Sequence, residues 1–571
     1  MPTSDHSTAA WLAHLCAEKG VRNAVISPGS RNAPLVIAFH HHPGIRCLRV
    51  IDERSAAFFA LGMAQRLGEP VALVCTSGSA VLNYGPAIAE AFYHRIPLLV
   101  LTADRPEEWV DQGEGQAIRQ LGVFAPHMKR SVQLPRDPGD ELARWHCGRL
   151  INEAIDATLL PVAGPVHVNV PFEEPLYGLS SDDASTVRTI HQVPVRASLP
   201  DEEASRLAAE WRGKGKVLVL VGQGAWSDAL RDALRAIAGQ PNTVVMTEAT
   251  SNLDDAAFIT CIDRAIEGVE NTAGEALRPE LLVTFGGGVI SKKIKGWLRK
   301  HRPGQHWNID TGQRHYDTYQ GLTHDIAVGP EEFVTRMARS LVGVAADAHG
   351  QRMNSGYARA WHDADTRARA IHDDFVSGAP FCDLTVFKTV LDHIPLGSEV
   401  HLANSTPVRY AQLFDRNGGH RWCCNRGTSG IDGCTSTSVG AAFASGRPTT
   451  LITGDIAFCY DANAFWNEHL SPHLKVIVID NGGGNIFRFI PGPDSDPELL
   501  PYFETPHGRD IAKLVGSYGL PYCHAMDQAT LEAGLKELYA PHDRPAVLHV
   551  TTDAIVSPKV LRDYFAVLRK P

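Results

Sequence analysis

Short runs of β-branched and apolar residues, each closing in Gly, Ser, Asn or Asp, recur along the whole chain and are separated by longer stretches of helical periodicity. A run that is apolar at every position has no face to give to water, so it belongs in a sheet covered on both sides. The helical stretch between runs supplies both the cover and the crossover. The pattern predicts an α/β fold of doubly wound parallel sheets. Three sets of strands separate. The first holds Ala24–Ser27, Leu48–Ile51, Val71–Thr76, Leu98–Ala103 and Val166–Val170. The second holds Val217–Val221, Thr243–Thr247, Leu281–Phe285 and Gln305–Ile309. The third holds Glu399–Ala403, Arg421–Asn425, Thr450–Thr453, Val476–Asp480 and Ala546–Val550. Polar linkers are expected at Leu179–Pro200 and within Val344–Ser377. A chain of 571 residues exceeds what one core supports, and three domains fit it. The thirds share no visible sequence, so repeated architecture is expected without a repeated sequence.

Composition removes several function classes. Hydrophobic residues make up 44% and charged residues 21%, the balance of a soluble globular protein. The net charge is -10 and no Lys/Arg block occurs, so neither nucleic acid nor an anionic membrane is expected as a partner. Apolar runs such as Ile96–Leu101 are too short to span a bilayer, and Met1–Ala10 lacks a basic start followed by an apolar core, so a cytoplasmic location is expected. The 11 Cys include no Cys-x-x-Cys pair and read as reduced, buried thiols.

The most informative stretch is Leu451-Ile452-Thr453-Gly454-Asp455-Ile456, a strand delivering a carboxylate at its end. After a helical segment comes Val476–Asp480 and then Asn481-Gly482-Gly483-Gly484. One strand-helix-strand unit spans the interval, and a right-handed crossover puts Asp455 and Asn481 on neighbouring loops. A carboxylate, an amide oxygen and the carbonyl of Gly483 are hard donors suited to Mg²⁺ completed by phosphate and water. Amides around Gly454 and in Ser429-Gly430-Ile431 can take the phosphate. Each piece alone also reads as ordinary turn chemistry; the paired spacing is what favours a metal.

Near the amino terminus, Ser27-Pro28-Gly29-Ser30-Arg31 breaks from a strand into a loop bearing a hydroxyl and a guanidinium. Glu53 opens a small-residue helix containing Ala56, Ala57, Ala60 and Ala64. By itself Glu53 reads as an acid on a helix dipole, and each basic residue as a solvated surface charge.

These stretches, with Thr76-Ser77-Gly78-Ser79-Ala80, Thr102-Ala103-Asp104-Arg105-Pro106, Asn404-Ser405-Thr406-Pro407-Val408-Arg409 and Asn425-Arg426-Gly427-Thr428-Ser429-Gly430-Ile431-Asp432, resemble the motifs of the 2-succinyl-5-enolpyruvyl-6-hydroxy-3-cyclohexene-1-carboxylate (SEPHCHC) synthases, a family of thiamine diphosphate enzymes. The resemblance runs the length of the chain. It departs from the common pattern at Ile456, where many thiamine diphosphate enzymes have Gly, at Lys293, where relatives often have Arg, and at Gly115, where many have Asn. It implies a pyrimidine-binding domain over 1–180, a central domain over 195–345 and a diphosphate-binding domain over 375–571. The implied reaction is the decarboxylative 1,4-addition of 2-oxoglutarate to isochorismate in menaquinone biosynthesis, with Mg²⁺ or Mn²⁺. Glu53 is the implied acid on the cofactor's pyrimidine ring, with Arg31, Arg409 and Arg426 beside the reacting groups. Ser405, Ser429, Gly430, Ile431, Gly454, Asp455, Asn481 and Ile486 are implied cofactor contacts, and Asp455, Asn481 and Gly483 the metal ligands. Ser30, Arg31, Arg105, Gln116, Lys292, Lys293, Ser405, Arg409, Arg426 and Phe487 are implied substrate contacts. A homodimer or a dimer of dimers, with active sites at the subunit interface, is implied as well. The competing readings are another thiamine diphosphate enzyme, such as a 2-oxoacid decarboxylase or acetohydroxyacid synthase, and a non-catalytic scaffold on the same fold.

Overall fold

The computed structural model describes residues 2–136, 138–181, 184–312, 314–342, 356–416, 418–489, 492–493 and 496–570. Three parallel sheets carry the chain. The first contains β1 (Asn23–Ile26), β2 (Arg46–Arg49), β3 (Val71–Cys75), β4 (Leu98–Asp104), β5 (Arg130–Gln133) and β6 (Val166–Pro171), in the order β2-β1-β3-β4-β6-β5. The second contains β7 (Val217–Val221), β8 (Thr243–Thr247), β9 (Leu281–Phe285), β10 (Gln305–Ile309) and β11 (Leu322–Ile326), ordered β8-β7-β9-β10-β11. The third contains β12 (Glu399–Leu402), β13 (Arg421–Cys423), β14 (Thr449–Gly454), β15 (Leu474–Asp480), β16 (Tyr522–Ala525) and β17 (Ala546–Thr551), ordered β13-β12-β14-β15-β17-β16. The first and third sheets therefore share one topology. In both, strand order reverses beside the first strand, and at such a reversal the loops leaving the carboxyl ends diverge and open a crevice. Those loops begin at Ser27 and Thr76 in one sheet and at Ala403 and Asp455 in the other.

Each sheet holds one strand that the apolar runs do not announce, β5, β11 or β16, and each of these lies at a sheet edge. Their residues are mostly half-buried or exposed, whereas every residue of β3, β4 and β6 is buried. An edge strand is covered less completely and lacks the continuous apolar run. The expected linker within Val344–Ser377 is a helix over much of its length: residues 344–355 lie outside the described residues, and Tyr357–Gly378 is helical. Trp361 and Ala368 are buried along it, and His372 hydrogen-bonds the Tyr564 hydroxyl at 2.9 Å.

The first two sheets repeat a polar detail. Thr102 Oγ1 lies 2.7 Å from His167 Nε2 and donates to Asn169 Oδ1 at 2.8 Å; Thr284 Oγ1 lies 2.8 Å from His306 Nε2 and donates to Asn308 Oδ1 at 3.1 Å. Burial holds both rings down to about 4, and His372 likewise. The unfolded chain takes up protons near pH 6.5 that the folded chain refuses, so the stability these rings confer is present above pH 6.5 and is lost as pH falls towards 4. The expected slope is roughly 1 kcal/mol per pH unit for each ring. Urea unfolding at pH 7 and pH 5 measures it, and the slope should be shallower in His306→Gln; an equal slope in that variant would exclude the ring as its source.

Six helices position the site: α1 (Glu53–Leu67), α2 (Gly85–His94), α3 (Lys292–Lys300), α4 (Tyr357–Gly378), α5 (Cys434–Ser445) and α6 (Asp455–Tyr460). Helix α1 is capped by Asp52, which accepts from Ser55 N at 3.1 Å, and ends at Gly68 in the left-handed region, φ 70°. It crosses α5 with the two backbones in direct contact. A Cβ on Gly62 would overlap the Thr437 carbonyl, and one on Gly440 would overlap the Phe59 carbonyl. The alanines of α1 make this approach possible, and Phe58, Phe59 and Leu61 join Val439, Ala442 and Phe465 in one apolar core shared by the first and third sheets.

Candidate functional site

Strand β14 ends at Gly454 and α6 begins at Asp455, a residue 3% exposed. Asp455 Oδ1 accepts from Ile456 N at 2.8 Å, and Oδ2 lies 3.1 Å from His507 Nε2. Asp480, ending β15, accepts from Gly482 N at 3.0 Å and pairs with His549 at 2.9 Å. Potential ligand atoms of Asp455, Asp480 and His507 all lie within 4.8 Å of one another. Burial, and after it the Asp480 charge, raises the Asp455 carboxyl above the ordinary carboxylate range. Asn481 Nδ2 donates to Asp383 Oδ2 at 2.9 Å, and Asp383 is itself held by Thr552 at 2.6 Å. That fixes the amide and leaves Asn481 Oδ1 buried without a partner. Gly483, φ 152°, packs so tightly on the Glu504 carbonyl that a Cβ would come within 2.7 Å of it. An orphaned amide oxygen, a buried carboxylate raised above its ordinary range and a carbonyl in a glycine turn are oxygen donors that suit a hard divalent cation.

A second group gathers around Asn404, 2% exposed. Its Nδ2 donates to the carbonyls of Asn425 and Gly430, both at 2.7 Å, and its Oδ1 accepts from Arg426 Nη1 at 2.8 Å. The loop that leads through Ile431 into α5 is thus gripped from within, and Gly433 at its end packs on the Phe58 ring. Ser405 (φ 75°) and Ser429 (φ 64°) both occupy the left-handed region, a strained conformation that shapes the two turns. Arg409 and Arg426 each bury an Nε without a partner. Burial, then the Arg426 charge, holds Arg409 below its ordinary value. Ile486 and Phe487 lie in the short helix Asn485–Arg488, and Phe487 meets Phe503 with ring centroids 5.8 Å apart.

Helix α3 divides its lysines. Lys292 is exposed at its start, while Lys293 pairs with Glu267, which also binds Arg569, and lies 4.0 Å over the Phe565 ring. Lys295 is held below its ordinary value first by burial, with the Arg426 and Arg409 charges adding to the same effect.

The amino-terminal group lies on the strand-end loops of the first sheet. Glu53 is half-buried and its carboxylate makes no hydrogen bond or ion pair among the described residues, although its neighbours do: Asn463 Nδ2 donates to Asp52 at 2.7 Å, and Arg54 donates to the Tyr460 carbonyl at 2.7 Å. Arg31 is buried and donates to the Phe172 carbonyl at 3.1 Å and to Glu174 at 3.2 Å. Ser30 and Gln116 are exposed. Arg105 Nε donates to the Gly115 carbonyl at 2.9 Å, with Glu114 3.8 Å from Nη1. Among the described residues, no hydrogen bond or ion pair joins Glu53, Arg31 or Arg105 to Arg409, Arg426 or Asp455.

Two family profiles match: the thiamine pyrophosphate enzyme N-terminal TPP binding domain over residues 6–123, and the thiamine pyrophosphate enzyme C-terminal TPP binding domain over residues 405–550. The curated relatives include 2-succinyl-5-enolpyruvyl-6-hydroxy-3-cyclohexene-1-carboxylate synthases of Porphyromonas gingivalis, 42% identical over 98% of this chain and 97% of the relative, and of Flavobacterium johnsoniae, 40% identical over 97% of each. The chain belongs to this family. A more distant SEPHCHC synthase, from Bacteroides thetaiotaomicron, is 33% identical over 99% of this chain and 100% of its own length.

Membership agrees with the three-sheet fold and with thiamine diphosphate as the cofactor of the SEPHCHC synthase fold. Asp455, Asn481 and Gly483 fit the metal that accompanies it, on the strength of the orphaned Asn481 oxygen. Asp480, His507, Asn404 and Lys295 join these groups without being marked by the motifs. Asp480 and Asn404 directly precede Asn481 and Ser405 in the same strand-end turns, whereas His507 stands in no motif. No helix among the described residues is long and apolar enough to cross a membrane.

Proposed function

We propose that this protein joins 2-oxoglutarate to isochorismate with loss of CO₂, giving SEPHCHC in menaquinone biosynthesis. The observation that carries the reading is similarity to SEPHCHC synthases across essentially the full length of both chains. That likeness disfavours a 2-oxoacid decarboxylase or an acetohydroxyacid synthase, which would share only the cofactor-binding signature.

Asp455, Asn481 and the Gly483 carbonyl hold Mg²⁺ or Mn²⁺, with Gly454, Ser429 and Gly430 taking the diphosphate and Ser405, Ile431 and Ile486 bounding the cofactor pocket. When bound, thiamine diphosphate supplies the electron sink for decarboxylation and carbon–carbon bond formation. Glu53 shares a proton with the pyrimidine ring, the partner its otherwise unpaired carboxylate lacks. Arg31, Arg409 and Arg426 neutralise substrate carboxylates, and the orphaned Nε atoms of the last two are donors awaiting an anion. Ser30, Arg105, Gln116, Lys292 and Phe487 complete the substrate walls; Lys293 reaches them only by leaving Glu267, and Lys295 is the cation better placed toward the arginines. Glu53 serves the diphosphate site of a second copy, so the working unit is a dimer or a dimer of dimers.

Incubating the protein with thiamine diphosphate, Mg²⁺ and 2-oxoglutarate, with and without isochorismate, tests the reading. A carboligation product that requires isochorismate is expected. Turnover of pyruvate with no such product would overturn the assignment, and a fully active monomer in sedimentation would overturn the shared site.

A further inference from the structure

Helix α2 of the amino-terminal unit reaches across to the Arg426 loop through one buried carboxylate. Glu90 is 1% exposed. Its Oε1 accepts from Gly427 N at 2.7 Å, and its Oε2 accepts from Thr428 N at 2.7 Å and from Thr428 Oγ1 at 3.0 Å. His94 Nδ1 lies 3.1 Å from Oε1. Two successive amides turned to one side form a concave anion site, and here the anion is a protein side chain. Burial works against the charge, but the His94 contact and the two amides outweigh it and hold the carboxyl below its ordinary value. Gly427 is required by the fit: a Cβ there would stand 2.5 Å from the Glu90 carbonyl oxygen and 3.0 Å from its carboxylate.

We propose that Glu90 is a positioning residue for the reaction, fixing the Asn425–Ile431 loop so that Arg426 is held ready for a substrate carboxylate. The inference rests on the role given to Arg426 above. The loop is gripped on two sides by complementary chemistry. Asn404 takes its carbonyls at Asn425 and Gly430 and the Arg426 guanidinium, while Glu90 takes the amides immediately after Arg426. With either grip lost, the residues around Arg426 exchange protein hydrogen bonds for water, and the guanidinium is no longer pre-oriented. A contact that merely joined two units would affect stability and leave substrate affinity alone.

The full-length holoenzyme carrying Glu90→Gln provides the test, because a Gln side chain presents an NH₂ where a second acceptor is needed. Deuterium exchange at the Gly427 and Thr428 amides is expected to quicken at least about 10-fold. KM for 2-oxoglutarate is expected to rise roughly 10- to 100-fold with a smaller change in kcat. Glu90→Asp should recover part of the loss, and Gly427→Ala, which displaces the loop from the other side, should reproduce it even if Glu90→Gln fails to fold. Unchanged amide exchange, or a lowered melting temperature with KM unaltered, overturns the proposal. If the parent protein does not consume 2-oxoglutarate, the functional assignment fails, while amide exchange still decides whether Glu90 holds the loop.

Discussion

Glu53→Gln is expected to slow C2 proton exchange of bound thiamine diphosphate by roughly 10²- to 10⁴-fold, the range typical of losing a positioned acid–base group. Metal binding and the helix should survive. Glu53 is the first residue of α1, and apart from the proposed role it supplies a favourable charge at a helix start, worth about 0.3–1 kcal/mol. Asp52 provides the cap independently. The two explanations of the same acid therefore separate cleanly: a helix-charge role predicts a small loss of melting temperature with normal exchange, and the proton-sharing role predicts the reverse. Exchange is read by NMR of the acid-quenched cofactor, and a near-normal rate in the variant would remove Glu53 from the chemistry.

Asp455→Asn is expected to abolish the stabilisation that cofactor and metal confer while leaving the unliganded protein as stable as the parent, or more so. In the free protein Asp455 is buried beside Asp480, and burial first and then the Asp480 charge favour its neutral form, which a cation would reverse. Asn keeps that neutral form while removing the proposed metal ligand. A ligand present at 100 times its Kd stabilises by about 2.7 kcal/mol, and the variant should lose essentially all of it. Melting curves with and without thiamine diphosphate and Mg²⁺ measure both quantities. A full ligand-induced shift in the variant would rule out Asp455 as a ligand.

The legible parts of this protein were those in which one physical demand acts along the chain. Fully covered central strands are built mainly from apolar and β-branched residues, so β3, β4, β9 and β15 stand out; the edges β5, β11 and β16 face no such demand and do not. The Asp455 and Asn481 pair was legible because a crossover unit fixes the distance between strand ends. His507 was not, since it arrives from beyond the helix Leu500–Glu504 and only the fold brings it to Asp455. The lysines of α3 part where the helix turns: at about 100° per residue, positions 293 and 295 point to opposite sides. One meets Glu267 and the other feels the arginine charges, a division that a motif read along the chain does not show. Glu90 escaped for another reason. Its work is done mainly on backbone amides of a distant loop, and a backbone partner leaves no residue type to recognise.

The backbone contact between α1 and α5 bears on how such an enzyme can move. With Gly62 against one carbonyl and Gly440 against another, neither helix has slack to slide along or roll over its neighbour without collision. The frame carrying Glu53 and the loop that leads through Ile431 into α5 behaves as a locked joint, its alignment set once during folding. Admission of two bulky anions and release of a larger one then fall to the strand-end loops, and turnover can be tuned there without disturbing the joint.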